Sequence, residues 1–145
     1  LLLIDTKAAP DTPEAVAARG EAIAIVRAHG VDAYLERQLP KLLSAHADEA
    51  TRAEARELGR QTPSAVVAGL EALRDRPDRR PELPSITAPT LVVVGALDVV
   101  TPPTEARSMA EAIPGARLVE IPVSGHLPNL EAPDALAAAL VSFVR

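Results

Sequence analysis

Thr90-Leu91-Val92-Val93-Val94 is an unbroken β-branched and aliphatic run closed by Gly95. It constrains the fold more than any other stretch. A strand with one wet face alternates apolar and polar residues, whereas a run apolar at every position is buried on both faces, the mark of a central strand in a parallel sheet. Arg117 to Ile121 is a second short strand of this kind. Between them, Thr101-Pro102 starts a helix whose inward positions are Ala106, Met109, Ala110 and Ile113, and Pro114-Gly115 stops it. Ala132-Pro133 opens a last helix, with Leu136, Leu140 and Phe143 on one face. Residues 90–145 therefore read β-α-β-α. Two strands joined by a helix of this length must be parallel, with a right-handed crossover.

The segment before this unit is helical. Leu1-Leu2-Leu3-Ile4 reads as a third buried strand ending at Asp5-Thr6. Thr12-Pro13 supplies a cap followed by proline at the first helical position. The helix is expected to run to His29, with Ala15, Ala18, Ala22 and Val26 on its apolar side and Gly30 as its stop. A second stretch from Asp32 to Leu43 carries Tyr34, Leu35 and Leu39, and Pro40 is expected to kink or break it. Glu49, Arg52, Arg56 and Arg60 mark an exposed helix face. Thr62-Pro63 repeats the cap-plus-proline start and leads into the stripe Val66, Val67, Leu70 and Leu73. Residues 74–89 hold Pro77, Pro81, Pro84 and Pro89 among arginines and aspartates, and read as a solvated connector between two substructures.

Composition excludes several functions. The 145 residues carry a net charge of −5 with no Lys/Arg cluster suited to a phosphate backbone, so nucleic acid is not an expected partner. No apolar run approaches the roughly 20 residues of a membrane span. There are no cysteines, which removes disulfides, thiolate metal sites and a thiol nucleophile, and fits a cytoplasmic protein. Tyr34 and Phe143 are the only aromatics, so aliphatic side chains must fill the core.

The chemistry-bearing residues lie at one end of the sheet. Asp98 follows Gly95 by three residues and His126 follows Ile121 by five. Open α/β sheets bind ligands outside the carboxyl ends of their strands. Neighbouring parallel strands are about 4.8 Å apart. Asp98 can therefore accept from His126 Nδ1, leaving Nε2 free to take a proton from a hydroxyl. Each residue taken singly also suits a plain turn or helix cap. Asp5 ends a strand at the same sheet edge and is an alternative acid or pocket residue. Leu97, Val99 and Leu127 flank the two candidates and are expected in an apolar pocket wall. Tyr34 suits cap packing or the cavity wall. His29 suits a helix end and His46 a solvated linker, and neither joins a plausible zinc set.

The stretch Pro89-Thr90-Leu91-Val92-Val93-Val94-Gly95-Ala96-Leu97-Asp98-Val99-Val100-Thr101-Pro102-Pro103 resembles the acid loop of the α/β-hydrolase superfamily. Ile121-Pro122-Val123-Ser124-Gly125-His126-Leu127-Pro128-Asn129-Leu130-Glu131-Ala132-Pro133 resembles its histidine loop, 28 residues from acid to histidine. Leu3-Ile4-Asp5-Thr6 followed by a helical region is similar to the bacterial 3-oxoadipate enol-lactonase-like and carboxylesterase members. The resemblance implies an α/β fold: the C-terminal part of an α/β-hydrolase sheet, about three parallel strands, with an inserted helical cap. Residues 1–8 would be a core strand and the start of the cap, 9–84 the cap and Pro-rich connector, and 85–145 the C-terminal core. It implies a serine-type hydrolase of a small-molecule ester or lactone, with Asp98 and His126 as two triad members and no cofactor or metal.

The G-x-S-x-G elbow is absent: Ser44, Ser64, Ser85, Ser108, Ser124 and Ser142 all lack it. The sequence opens on Leu1 inside an apolar run, and the expectation is a fragment whose serine and oxyanion loop lie in an N-terminal half, its natural partner. The alternative is a non-catalytic half-domain, or a truncated remnant, that binds another chain through its open sheet edge.

Overall fold

Three short strands form one parallel sheet in a computed structural model that describes residues 1–145. Strands β1 (Leu2–Ile4), β2 (Leu91–Gly95) and β3 (Arg117–Ile121) lie in the order β1-β2-β3. Leu3 pairs with Val92, and Val92 with Leu118. The central strand β2 is buried at all five positions, and its alternation sorts the core into two layers. Val92 and Val94 pack with Ala106 and Met109 of helix α4 (Pro103–Ala112) and with Ile113 just after it. Leu91 and Val93 face the other way, against Ile121 and Leu136 of helix α6 (Pro133–Val144), with Leu140 and Phe143 alongside. A short helix, α5 (Pro128–Glu131), precedes α6 and was not expected from the sequence.

The helical region builds a separate core. Helices α1 (Pro13–Leu42), α2 (Glu49–Gly59) and α3 (Pro63–Arg74) start on Thr12, Asp48 and Thr62, whose side chains accept from the third residue on. Their buried set is Ile23, Val26, Val31, Leu35, Leu39, Leu43, Ala55 and Leu70. No helix is long and apolar enough to cross a membrane.

Four local readings are corrected. Helical geometry does break at Gly30, whose φ of 82° only glycine adopts readily, but the chain resumes its helix at once, so α1 is one bent element. Pro40 lies within the last turn before Leu42 and does not break it. On the apolar side of α1, Ile23 and Val26 carry the burial, while Ala18 is exposed. Arg52 is not simply a solvated face residue, since its guanidinium donates to the carbonyls of Ala47 and Ser44.

The Pro-rich connector is also more ordered than its composition suggests. Arg80–Ser85 forms a 3₁₀ turn that inserts Leu83 into the α4 side of the sheet core. Such a turn asks for few backbone donors, which makes Pro81 and Pro84 acceptable within it.

Candidate active site at the carboxyl edge of the sheet

Asp98 and His126 meet as the spacing predicts. Asp98 leaves β2 after a tight turn in which its own N–H donates to the Gly95 carbonyl at 3.0 Å. His126 leaves β3 after the Pro122–Gly125 turn, and its Nδ1 lies 2.8 Å from Asp98 Oδ2. Asp98 is 3% exposed and fully occupied as an acceptor. Oδ1 takes the N–H groups of Val100 and Thr101 at 2.7 and 3.0 Å, and Oδ2 also takes the Thr101 hydroxyl at 2.7 Å. Thr101 reads in the sequence as the cap of α4, but its hydroxyl is engaged by Asp98, and α4 begins without a side-chain cap. Burial alone would push the Asp98 carboxyl up. The hydrogen bonds from His126 and Thr101 outweigh it and hold the group at about 2, a carboxylate throughout the neutral range.

Two structural devices aim the imidazole. The first is a close approach of backbones: a Cβ on Gly95 would overlap the carbonyl oxygen of Gly125 and lie 2.8 Å from the carbonyl carbon of Ser124. The N–H groups of Ala96 and Leu97 donate to the carbonyls of Ile121 and Ser124, joining the acid turn to the histidine turn directly. The second is Glu131, whose carboxylate accepts from Gly125 N–H and Ser44 N–H, both at 2.8 Å. The His126 N–H donates to the Leu42 carbonyl at 2.9 Å. The histidine loop is thus held between the sheet and the C-terminal end of α1.

Asp5 is the third carboxyl at this edge. It sits just past β1 in a left-handed conformation, φ 42°, unusual for a residue with a side chain. Its Oδ1 accepts from Gly95 N–H at 2.8 Å, while Oδ2 is buried without a donor. Burial pushes its carboxyl up to about 7, against the pull of the Gly95 N–H, and Asp98 beside it adds to the rise. His126 bonds to Asp98 and not to Asp5, so Asp5 does not take the place of the acid next to the ring. One donor atom from each of Asp5, Asp98 and His126 lies within 4.8 Å of the others, the set best placed for a metal ion. Within this set the Nδ1 of His126 is hydrogen-bonded to Asp98.

A cavity of about 210 Å³ opens over His126, bounded by Asp5, Arg19, Tyr34, Gln38, Arg76 and Thr101 among others. It adjoins a groove of about 290 Å³ walled by Ala22, Ile25, Leu70, Val99 and Val100. Of the three flanking apolar candidates, Val99 lines this groove. Leu97 is 41% exposed and lines neither space, and Leu127 packs against the helical core instead. Tyr34 does both things weighed for it, packing on that core and lining both spaces. His29 and His46 are exposed and line neither space, although His46 lies beside Val123 and Glu131 behind the histidine loop. No serine lines the His126 cavity: Ser124 is fully buried with its hydroxyl on the Gly125 carbonyl. Sequence reading missed Arg19, Gln38 and Arg76. Each is an ordinary polar residue on a helix or connector, and only the folding of α1 over the sheet edge brings them together.

Known proteins share this fold. The model of a family described as "Alpha/beta hydrolase family" matches residues 2–139. The pimeloyl-[acyl-carrier protein] methyl ester esterase of Stenotrophomonas maltophilia is 36% identical over 104 residues, covering 70% of this chain and 40% of that protein. A thermophilic esterase from Thermogutta terrifontis superposes with a TM-score of 0.91 at 34% identity, over 100% of this chain and 55% of its own. The enol-lactonase from Burkholderia xenovorans LB400 superposes with a TM-score of 0.87 at 30% identity, over 99% of this chain and 55% of its own. The chain thus spans about half the length of these structures, and its sheet and helices correspond to the C-terminal part of their fold. A matched family spanning nearly every residue, together with the same sheet in two solved enzymes, makes this chain a member of the alpha/beta hydrolase family.

Proposed function

We propose that this chain carries the general base and its orienting carboxylate for the hydrolysis of a carboxylic ester or lactone. The observation that supports it is the hydrogen bond of 2.8 Å between His126 Nδ1 and a buried Asp98 whose every lone pair is occupied. A carboxylate so held keeps the Nδ1–H tautomer, aims Nε2 into the cavity and stabilises the imidazolium once it forms. The serine is supplied by polypeptide N-terminal to Leu1. None of the serines between residues 1 and 145 lines the His126 cavity, and the esterase and lactonase relatives are about twice as long. The serine hydroxyl attacks the carbonyl carbon while His126 Nε2 takes its proton. The tetrahedral intermediate collapses as His126 returns that proton to the leaving oxygen. Water then repeats the sequence on the acyl-enzyme.

In this reading residues 9–84 form the cap and connector over the site, residues 85–145 the catalytic edge, and residues 1–8 the strand that brings Asp5 beside it. Without the serine-bearing segment, residues 1–145 are inactive. The test is steady-state ester hydrolysis by the full-length polypeptide. His126→Ala should abolish nearly all turnover, and Asp98→Asn should cost on the order of 10⁴ in kcat by fixing the wrong tautomer. Rates near wild type in either folded variant would overturn the assignment.

A further inference from the structure

Thr101 stands where a helix cap belongs and does not serve as one. A threonine before Pro102-Pro103 is an ordinary way to begin a helix, yet α4 starts with no side-chain cap. The hydroxyl is turned instead into the carboxyl edge of the sheet, in a residue only 5% exposed. There Oγ1 lies 2.7 Å from Asp98 Oδ2 and 3.4 Å from His126 Nδ1. With the 2.8 Å bond between Nδ1 and Oδ2, the three atoms close a triangle. Thr101 is the one side chain besides His126 that bonds to Asp98.

Counting protons in the triangle gives it a direction. A hydroxyl has one proton and two lone pairs, and an ionised carboxylate only accepts. At the shorter distance Thr101 donates its proton to Asp98, so Oγ1 faces Nδ1 with lone pairs alone. A hydroxyl turned to Nδ1 would instead stabilise a ring protonated on Nε2, the form that cannot act as base. With the proton on Oδ2, such a ring would bring a third acceptor against two others. A ring protonated on Nδ1 fits: Oδ2 takes the main bond, and Oγ1 is the longer arm of a three-centre contact. The same donor restrains the Asp98 carboxyl, whose terminal torsion is broad when nothing holds it. Backbone N–H groups fix Oδ1, and the Thr101 hydroxyl fixes the oxygen that meets the ring.

We propose that Thr101 is a positioning residue, whose hydroxyl fixes Oδ2 of Asp98 and selects the Nδ1–H tautomer of His126 that leaves Nε2 as the base. This rests on the ester-hydrolase reading and adds a residue to its machinery.

The test uses the full-length enzyme with p-nitrophenyl butyrate as substrate. Thr101→Val exchanges the hydroxyl for a methyl group of the same shape, and Thr101→Ser keeps the hydroxyl. Thr101→Val should lower kcat about 10–100-fold, the range set by one hydrogen bond to a charged group. KM should stay within about 2-fold, since the lost contact acts on the base and not on bound substrate. Thr101→Ser should recover most of the loss, and Thr101→Ala replaces Thr101→Val should that variant fail to fold. The independent readout is nitrogen NMR of the His126 ring above its titration. Wild type and Thr101→Ser should show the Nδ1–H tautomer, and Thr101→Val a mixture with Nε2–H. A hydroxyl that only packs would change the melting temperature and leave kcat and tautomer alone. A folded Thr101→Val with wild-type kcat, a Thr101→Ser as slow as Thr101→Val, or an unchanged tautomer in Thr101→Val overturns the proposal. Should the wild type cleave no ester, the hydrolase reading fails, and the tautomer alone decides the role of Thr101: a mixture in Thr101→Val supports it, and no change overturns it.

Discussion

Gly95 and Gly125 touch backbone to backbone, with no room for a methyl group between them. This contact joins the end of the central strand to the histidine loop, and it makes glycine obligatory at residue 95. Gly95→Ala forces the two turns apart against a rigid sheet. The expected loss is more than about 2 kcal/mol of stability, typical of overpacking where backbone must yield. Urea denaturation measures it, and an unchanged midpoint would show that the approach is looser than described.

Asp5 gives stability an unusual pH dependence. Its carboxyl is raised to about 7 in the folded state from an ordinary value of 3.8. Between those two values the folded form holds a proton that the unfolded form has released, so this group makes stability fall as pH rises from about 4 to about 7. Asparagine mimics the protonated acid: it can still accept from Gly95 N–H and offers a donor where Oδ2 now has none. Asp5→Asn should therefore be more stable than wild type at pH 8, with the gap closing toward pH 4. Thermal melts across that range decide it, and a gap independent of pH would refute the neutral carboxyl.

Asp98 works in the opposite direction. Its carboxyl is lowered to about 2, so it contributes stability above its ordinary value, and that contribution is lost as pH falls from about 4 toward 2. In Asp98→Asn this acid limb should flatten. The variant should lose more stability relative to wild type at pH 6 than at pH 2.5, as read by acid titration of the far-UV signal.

Asp11→Ala removes the carboxylate that three part-buried cations, Lys7, Arg19 and Arg76, share. Leaving such charges uncompensated costs about 3–5 kcal/mol in comparable buried pairs. The expected phenotype is a cooperative loss of helicity at lower denaturant. Asp11→Asn should recover little of it, since it restores shape without charge. A variant as stable as wild type would mean the cations find other partners.

The two halves of this fold differ in how far the sequence discloses them. Val92 to Val94 declare a doubly buried strand because every position is apolar, and the turn after it fixes Asp98 at the sheet edge within a few residues. Asp98 and His126 were legible because strand spacing alone brings consecutive β-α loops together. The Asp11 cluster was not. It joins residues as far apart as Asp11 and Arg76, and a proline-broken arginine run has the composition of a solvated linker. The same holds for Glu131, whose partners Ser44 and Gly125 lie on different elements. Gly30 shows the intermediate case: the glycine correctly marks where helical geometry fails, but whether the chain turns away or bends and continues depends on the core that Ile23, Val26, Val31 and Leu35 build on both sides of it.

The clasp formed by Glu131, with the Leu42 carbonyl receiving the His126 N–H, fastens the far end of α1 to the loop that bears the imidazole. Helix and ring must then travel as one piece. Any shift of the last turn of α1 therefore bears directly on the backbone that carries the imidazole, with no side-chain slack between them.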